Sequence, residues 1–365
     1  LRYGVECLTL AKQENIYYLT GFYGKNSGSL LIITMQKVYL IVHFIYLEQA
    51  KKSLLLKEVE IIEFLNKKEE KFNELISSIN CKIFSLESNH ISHNEYVLLS
   101  KLLKKNNKTI KNKIEFVESL RSIKDEYELS LIKKACSITD KVIKNICSMN
   151  YGQLTKFTEI ELALYIEQLM VSLGGKSKAF DLIVANKSAS SLPHYEPMHK
   201  KIRYGVLLLD IGCIYKNYCS DITRTVFIEK KSENKYITLG NKKIKTIKAF
   251  YDIVLEAQMS ALKYCRAGIS CLKLDYIARE VIEKNGYGKL FGHGLGHGVG
   301  LEVHESPKVS YTSDTILKEN MVITIEPGIY LEGKFGIRIE DMVIVKNNGC
   351  INLYSFPKEI IYIDS

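Results

Sequence analysis

Over the first third of the chain, short apolar runs alternate with stretches of helical spacing. Val5–Leu10, Ser29–Thr34 and Val38–Val42 read as strands, the last two joined by a tight Met35-Gln36-Lys37 connection. Apolar residues recur at helical spacing in Lys68–Ile79 and Asn94–Leu103. Together these predict an α/β domain spanning residues 1–118. A long amphipathic helix over Lys124–Cys147, with Leu129, Ile132, Ala135 or Cys136, Ile138 or Thr139, and Val142 on its apolar face, opens a second domain over residues 119–365. Another helix fits Phe157–Leu173. Beyond Phe180 the pattern changes to strands (Asp181–Ala185, Val206–Tyr215, Tyr218–Glu229, Met321–Glu326, Gly336–Lys346), with helices at Ile247–Tyr264 and Lys273–Asn285. Most of these strands are linked by tight turns, so a mainly antiparallel sheet is expected in an α+β second domain. Lys230–Lys245 reads as a surface loop.

Composition narrows the class. The chain has 365 residues, 46% hydrophobic and 25% charged, which are ordinary globular values at a length that can bury two cores. Its net charge is +10, and the Lys-rich run Lys101–Lys113 has no interleaved aromatic residue on which a base could stack. No nucleic-acid partner is expected. The longest apolar run, Val38–Leu47, is too short to cross a bilayer, and no signal peptide is visible, so no membrane association is expected. Nine Cys without a C-x-x-C pair suggest reduced thiols and a cytoplasmic location. The chain opens on Leu1 rather than Met, so a preceding segment is expected.

Candidate chemistry concentrates in three places. Gly alternates with His and aliphatic residues from Gly292 to Gly300. In an extended backbone His293, Leu295, His297 and Val299 would share one face, and the Gly face would admit another backbone closely. Val206–Cys213 and Tyr218–Thr225 form a plausible hairpin. Folded about Tyr215 and Lys216, it opposes Asp210 to Asp221, with side chains about 5 Å apart. A second hairpin centred on Gly333 opposes Glu326 to Glu340, with Thr324 and Arg338 on the same face. Bare carboxylates so close repel each other, and a divalent cation is the natural filler. Four carboxylates with one or two His suit two divalent ions about 3.5 Å apart. Oxygen-rich sites favour Mn2+ or Mg2+, while imidazole also admits Zn2+ or Co2+. Singly, each residue has a plainer explanation. A strand-end Asp is often a cap, Pro327-Gly328 makes a turn by itself, and Arg338 could be a surface charge. The paired spacings weigh against those explanations taken together. His43, His90 and His93 receive no role, and His199 reads as solvated.

The segments LPHYEP, LLLDIGCIYKNYCSDITRTVF, GYGKLFGHGLGHGVGLEVHESP, VITIEPGIY and GIRIEDMVIV together resemble the metallopeptidases of the pita-bread fold. The nearest group cleaves Xaa-Pro bonds: aminopeptidase P and Xaa-Pro dipeptidase (prolidase). ENIYYLTGF and ESLRSIKDEYELSLIKKA extend the likeness upstream over nearly the whole chain. The resemblance implies a creatinase-like amino-terminal domain and a pita-bread catalytic domain. It implies five metal ligands for two divalent ions, Mn2+ first, with Co2+ or Zn2+ as alternatives. Asp210 would hold the first ion, Asp221 and Glu340 would bridge, and His297 and Glu326 would complete the second. Glu326 would double as general base. His293 and His304 would contact substrate and stabilise the tetrahedral intermediate, His194 would line the pocket, and Arg338 would support the ligands. The implied substrate is a peptide with proline at its second position, and the implied assembly is a homodimer. The alternative is a non-catalytic or metal-free, creatinase-type member of the same scaffold, against which the intact ligand positions argue. Val42–Tyr46, the long Lys230–Lys245 segment, the short amino-terminal helix and Asn186-Lys187 depart from the family pattern away from the ligands. They bear on substrate selection and dimer contacts.

Overall fold

The computed structural model describes residues 5–25, 27–66, 68–113, 115–229, 236–239 and 242–364. It divides into two compact units, Leu1–Arg121 and Ser122–Ser365. The helix Phe116–Arg121 stays with the first unit because its polar side chains are bound there. Asn15 Nδ2 donates to Glu118 Oε1 at 2.9 Å, and Arg121 donates to Asn15 Oδ1 at 2.7 Å.

The first unit is built on a six-stranded mixed sheet. In spatial order its strands are Val59–Phe64, Val38–His43, Leu30–Thr34, Cys7–Leu10, Ile83–Glu87 and Thr109–Lys113. Leu30–Thr34 runs antiparallel to both its neighbours, and the other pairs are parallel. Side chains alternate across this sheet. Cys7, Leu30, Ile32 and Ile41 meet the helices Lys68–Ser78 and His93–Lys105 through Phe72, Ile76, Leu99 and Leu103. Leu8, Leu10, Leu31, Leu40 and Val42 form a second cluster with Ile16 of the helix Gln13–Thr20.

The second unit opens with the helix Glu126–Cys147. Asp125 and Glu128 form a reciprocal capping box that satisfies two of the free amides at its start. This helix and Glu159–Ser172 bury Leu129, Ile132, Ile143, Ile166 and Met170 against Leu207, Leu209, Ile222 and Val226. Ile247–Tyr264 and Cys271–Lys284 form a second cluster with Ile323, Ile325, Ile337 and Val343. The first of these cores lies on the sheet Ile361–Asp364, Ile222–Glu229, Gly205–Ile211, Ile183–Asn186. The second lies chiefly on Glu305–Val309, Gly296–Gly298, Val322–Ile325, Asp341–Lys346, Gly349–Asn352. Pairing is antiparallel throughout these two sheets except between Ile222–Glu229 and Ile361–Asp364.

Three local expectations change. The first hairpin turns at Lys216-Asn217, whose φ values are 46° and 70°. Two left-handed residues make a turn that matches the strands' own twist. Tyr215 therefore pairs with Tyr218, and Asp210 pairs with Thr223 rather than Asp221. Second, the Gly-spaced ribbon is a strand only at Gly296–Gly298. Leu295 and Val299 do not share a surface with His297 but sink into the two separate cores. Third, part of the expected Lys230–Lys245 loop is paired, Tyr236–Leu239 running antiparallel to Lys242–Thr246. The rest of that stretch, 230–235 and 240–241, lies outside the described residues.

The second hairpin has the expected register. Leu331 pairs with Phe335, Gly328 with Arg338 and Ile325 with Asp341, around Gly333 at φ 66°. Glu326 and Glu340 stand opposite one another where the ladder is interrupted between those pairs.

Candidate metal centre

Three strand ends meet at one polar cluster between the cores. Gly296–Gly298 runs between Glu305–Val309 and Val322–Ile325. A side chain at Gly296 would collide with the carbonyl of Thr324, and one at Gly298 with that of Ser306. Only Gly allows this approach, and it carries His297 to the carboxylates. The His297 amide is held by Thr324 Oγ1 at 3.0 Å, and that hydroxyl donates to Glu326 Oε1 at 3.1 Å.

His297 Nδ1 lies 3.1 Å from Gly298 O. A carbonyl only accepts, so this contact puts a proton on Nδ1 and turns Nε2 inward, where it donates to Glu326 when the ring is charged and offers a lone pair when the ring is neutral. Nε2 is 3.2 Å from Glu326 Oε1 and 3.7 Å from Asp221 Oδ2. Asp221, His297 and Glu340 each offer a ligand atom within 4.8 Å of the others. Asp210 joins through its repulsion of Asp221 and Glu340, and its Oδ2 accepts from Arg338 at 2.5 Å.

The electrostatics are those of crowded acids. Burial, then the charges of Glu340, Asp210 and Glu326, pushes the Asp221 carboxyl well above its usual range. Burial, with Glu326 and Asp210, does the same to Glu340. Burial also opposes ionisation of Glu326, but the His297 hydrogen bond and the charges of His297, His293 and Arg338 outweigh it and hold that carboxyl at about 2. Burial disfavours a charged His297, yet the contact with Glu326 raises it overall.

Divalent ions fit these residues. Asp210 Oδ1, Asp221 Oδ1 and Glu340 Oε1 are buried acceptors with no donor among the described residues. Buried carboxylate oxygens are costly unless a donor or cation reaches them. An inward-facing imidazole nitrogen this close to carboxylate oxygens needs a positive centre between them, a proton or a metal ion.

The remaining site residues surround this group. His293 Nδ1 donates to Gly294 O at 2.8 Å, so its Nε2 accepts from the Tyr330 hydroxyl at 3.0 Å. Tyr330 in turn accepts from Arg338 at 2.8 Å. Burial lowers the His293 pKa and, with the charge of His297, that of His304. The His304 ring sits edge-on to His297 at 4.3 Å between centroids. His194 is exposed on a turn and couples to the group through His304, whose protonation it disfavours. The carbonyl of its neighbour Pro193 accepts from Arg338 at 3.4 Å.

Sequence reasoning missed two partners. Thr223 Oγ1 donates to Glu340 Oε2 at 2.6 Å and accepts from Arg338 Nε at 3.0 Å. The register of a two-residue turn would have put it opposite Asp210. Tyr330 shares a strand face with Gly328, opposite Arg338, so simple alternation would have found it.

This two-domain scaffold has known counterparts. Residues 130–347 match the model of metallopeptidase family M24, and residues 2–123 that of the creatinase/prolidase N-terminal domain. A Xaa-Pro dipeptidase of Pyrococcus horikoshii is 37% identical over 360 residues, covering 98% of this chain and 95% of that protein. The Xaa-Pro dipeptidase structure from Bacillus anthracis superposes with a TM-score of 0.88 at 32% identity, over 99% of this chain and 96% of its own. The X-Pro aminopeptidase structure from Thermotoga maritima gives 0.86 at 34% identity, over 99% and 97%. The fold is thus a creatinase-type domain followed by a pita-bread domain. The chain belongs to metallopeptidase family M24 and is a metallo-exopeptidase.

Proposed function

We propose that the second domain, residues 119–365, hydrolyses the bond between an amino-terminal residue and a following proline, using two divalent ions held by Asp210, Asp221, His297, Glu326 and Glu340. The observation that carries this reading is the inward-facing Nε2 of His297, 3.2 Å from Glu326 Oε1, beside buried carboxylate oxygens that have no donor among the described residues. Bound ions, Mn2+ first and Co2+ or Zn2+ next, supply Lewis acidity and lower the pKa of a water. The protein's part is proton handling and placement. Glu326 stays ionised near neutrality and takes the proton of the attacking water. Glu326 then passes that proton to the proline nitrogen, so that it leaves as a neutral amine. His304, biased toward the neutral ring by burial, supplies a hydrogen bond to the carbonyl oxygen as it gains charge, and His293 contacts the substrate beside it, its Nε2 donating only when the ring is protonated. His194 lines the approach, and Arg338 holds Asp210 and the Pro193 carbonyl in register.

Relatives named dipeptidase and aminopeptidase match this chain about equally, so the choice between them rests on experiment. The protein stripped of metal should not cleave Ala-Pro or Ala-Pro-Ala, and Mn2+ should restore cleavage of at least one. Hydrolysis that survives complete metal removal overturns the reading. The ratio of the two rates assigns the specificity. A cytoplasmic homodimer belongs to the same proposal, in keeping with nine free cysteines. Among the described residues no helix is long and apolar enough to cross a membrane.

A further inference from the structure

Lys124 precedes the capping Asp125 of the helix Glu126–Cys147 and is 1% exposed. An ammonium at that depth needs a counter-charge. Its Nζ donates to Glu305 Oε1 at 2.7 Å and to Ser122 O at 3.4 Å, and the Glu305 side chain is itself only 3% exposed. The backbone under Lys124 is fixed as well. Its amide donates to Asn320 O at 3.0 Å, and Ile123 forms a β-bridge with Met321.

Glu305 directly follows His304. Its carboxylate folds back beneath the loop, taking the Glu302 amide at 3.5 Å and standing where a side chain at Gly300 would have to go. Gly300 O in turn accepts from the Cys219 amide at 2.8 Å, two residues before Asp221. The ladder cannot fix this loop alone, because the register slips between His297↔Lys308 and Gly298↔Glu305. The Glu305 carboxylate therefore braces the segment 299–304 beside the Val299 amide, which donates to Val322 O at 3.0 Å, and Lys124 braces that carboxylate.

A buried ion pair is weak evidence for stability, since apolar replacements of such pairs are often neutral or better. Its consequence here is geometric. We propose that Lys124 and Glu305 are positioning residues, a buried strut that sets the loop carrying His304 at its edge-on distance from His297. The kinetic consequence rests on the Xaa-Pro reading, but the structural one does not.

The test compares wild type with Lys124→Met and with Lys124→Met/Glu305→Gln. The double variant removes both charges, so it carries the test if the single variant, with the Glu305 charge kept and Lys124 gone, fails to fold. Amide hydrogen exchange is read on the metal-free chain, and kcat and KM on Ala-Pro with Mn2+. In the double variant exchange should quicken in peptides covering 299–305 and stay at the wild-type rate in the helix Glu126–Cys147. Its kcat should fall about tenfold to a hundredfold, with KM moving less. Wild-type exchange in 299–305, or wild-type kcat, overturns the proposal. So does faster exchange throughout the unit with a kcat loss matching the unfolded fraction, or failure of the double variant to fold, because the pair is then a stability element. If wild type cleaves no Xaa-Pro peptide, the function reading falls and the exchange data alone decide the strut.

Discussion

The two acidic hairpins close differently. In the first, a two-residue turn at Lys216-Asn217 staggers the acids, so that Asp210 faces Thr223 and Asp221 sits in the gap between Cys219 and Ile222. In the second, the loop around Gly333 puts Glu326 opposite Glu340. A staggered pair leaves an extra residue facing the first acid, and here that residue is Thr223. Its hydroxyl crosses to Glu340, and Thr223 O takes the Glu340 amide at 3.1 Å. Arg224 adds a bond to Glu340 O at 2.6 Å and an ion pair with the fully buried Asp341 at 2.7 Å. The stagger thus joins the hairpins, while direct opposition concentrates charge at one point.

That contrast can be broken at several strengths. The largest effect belongs to the opposed pair. Glu326→Ala should lower kcat by about a thousandfold or more, as expected for a lost general base that is also a ligand. Wild-type turnover would remove Glu326 from the chemistry. Next comes metal removal. Mn2+ at a hundred times its Kd should stabilise the wild type by about 2.7 kcal/mol. Asp221→Asn should raise the melting temperature of the metal-free chain, because burial and the charges of Glu340 and Asp210 penalise an ionised acid there, and should shrink the Mn2+-dependent shift. Thermal melts with and without Mn2+ check both statements. Thr223→Val leaves Glu340 without its donor and should cost the metal-free chain about 1–3 kcal/mol in urea unfolding. The smallest effects lie in the turns. Gly333→Ala should cost about 1 kcal/mol at its positive φ, whereas Lys216→Asn should gain up to about 1 kcal/mol. Equal responses at the two turns would show that turn chemistry does not set the registers.

Much of this arrangement was legible in the sequence, for local reasons. Gly333 marks a left-handed position plainly, and the spacing of Glu326 and Glu340 about it gave their register. The apolar spacing of Leu129, Ile132 and Val142 announced the long helix, though not the Asp125–Glu128 capping box at its start. Lys216-Asn217 lacks a Gly, so the centre of the first turn was misplaced and Thr223 went unseen. The ribbon misled in another way. Strict alternation assumes an extended chain, but only Gly296–Gly298 is paired on both sides, and Leu295 and Val299 turn away into different cores. Lys124 was hidden for a different reason, since its partner lies 181 positions away and no periodicity connects them.

The Thr223 hydroxyl has a consequence for anyone recombining this protein with its relatives. A chimera that exchanges only one hairpin would still carry every carboxylate. It would mate a threonine and a glutamate that had not been selected together across a 2.6 Å contact. The smallest exchangeable module is therefore the pair of hairpins, segments 205–229 and 321–346, even though more than ninety residues of chain separate them.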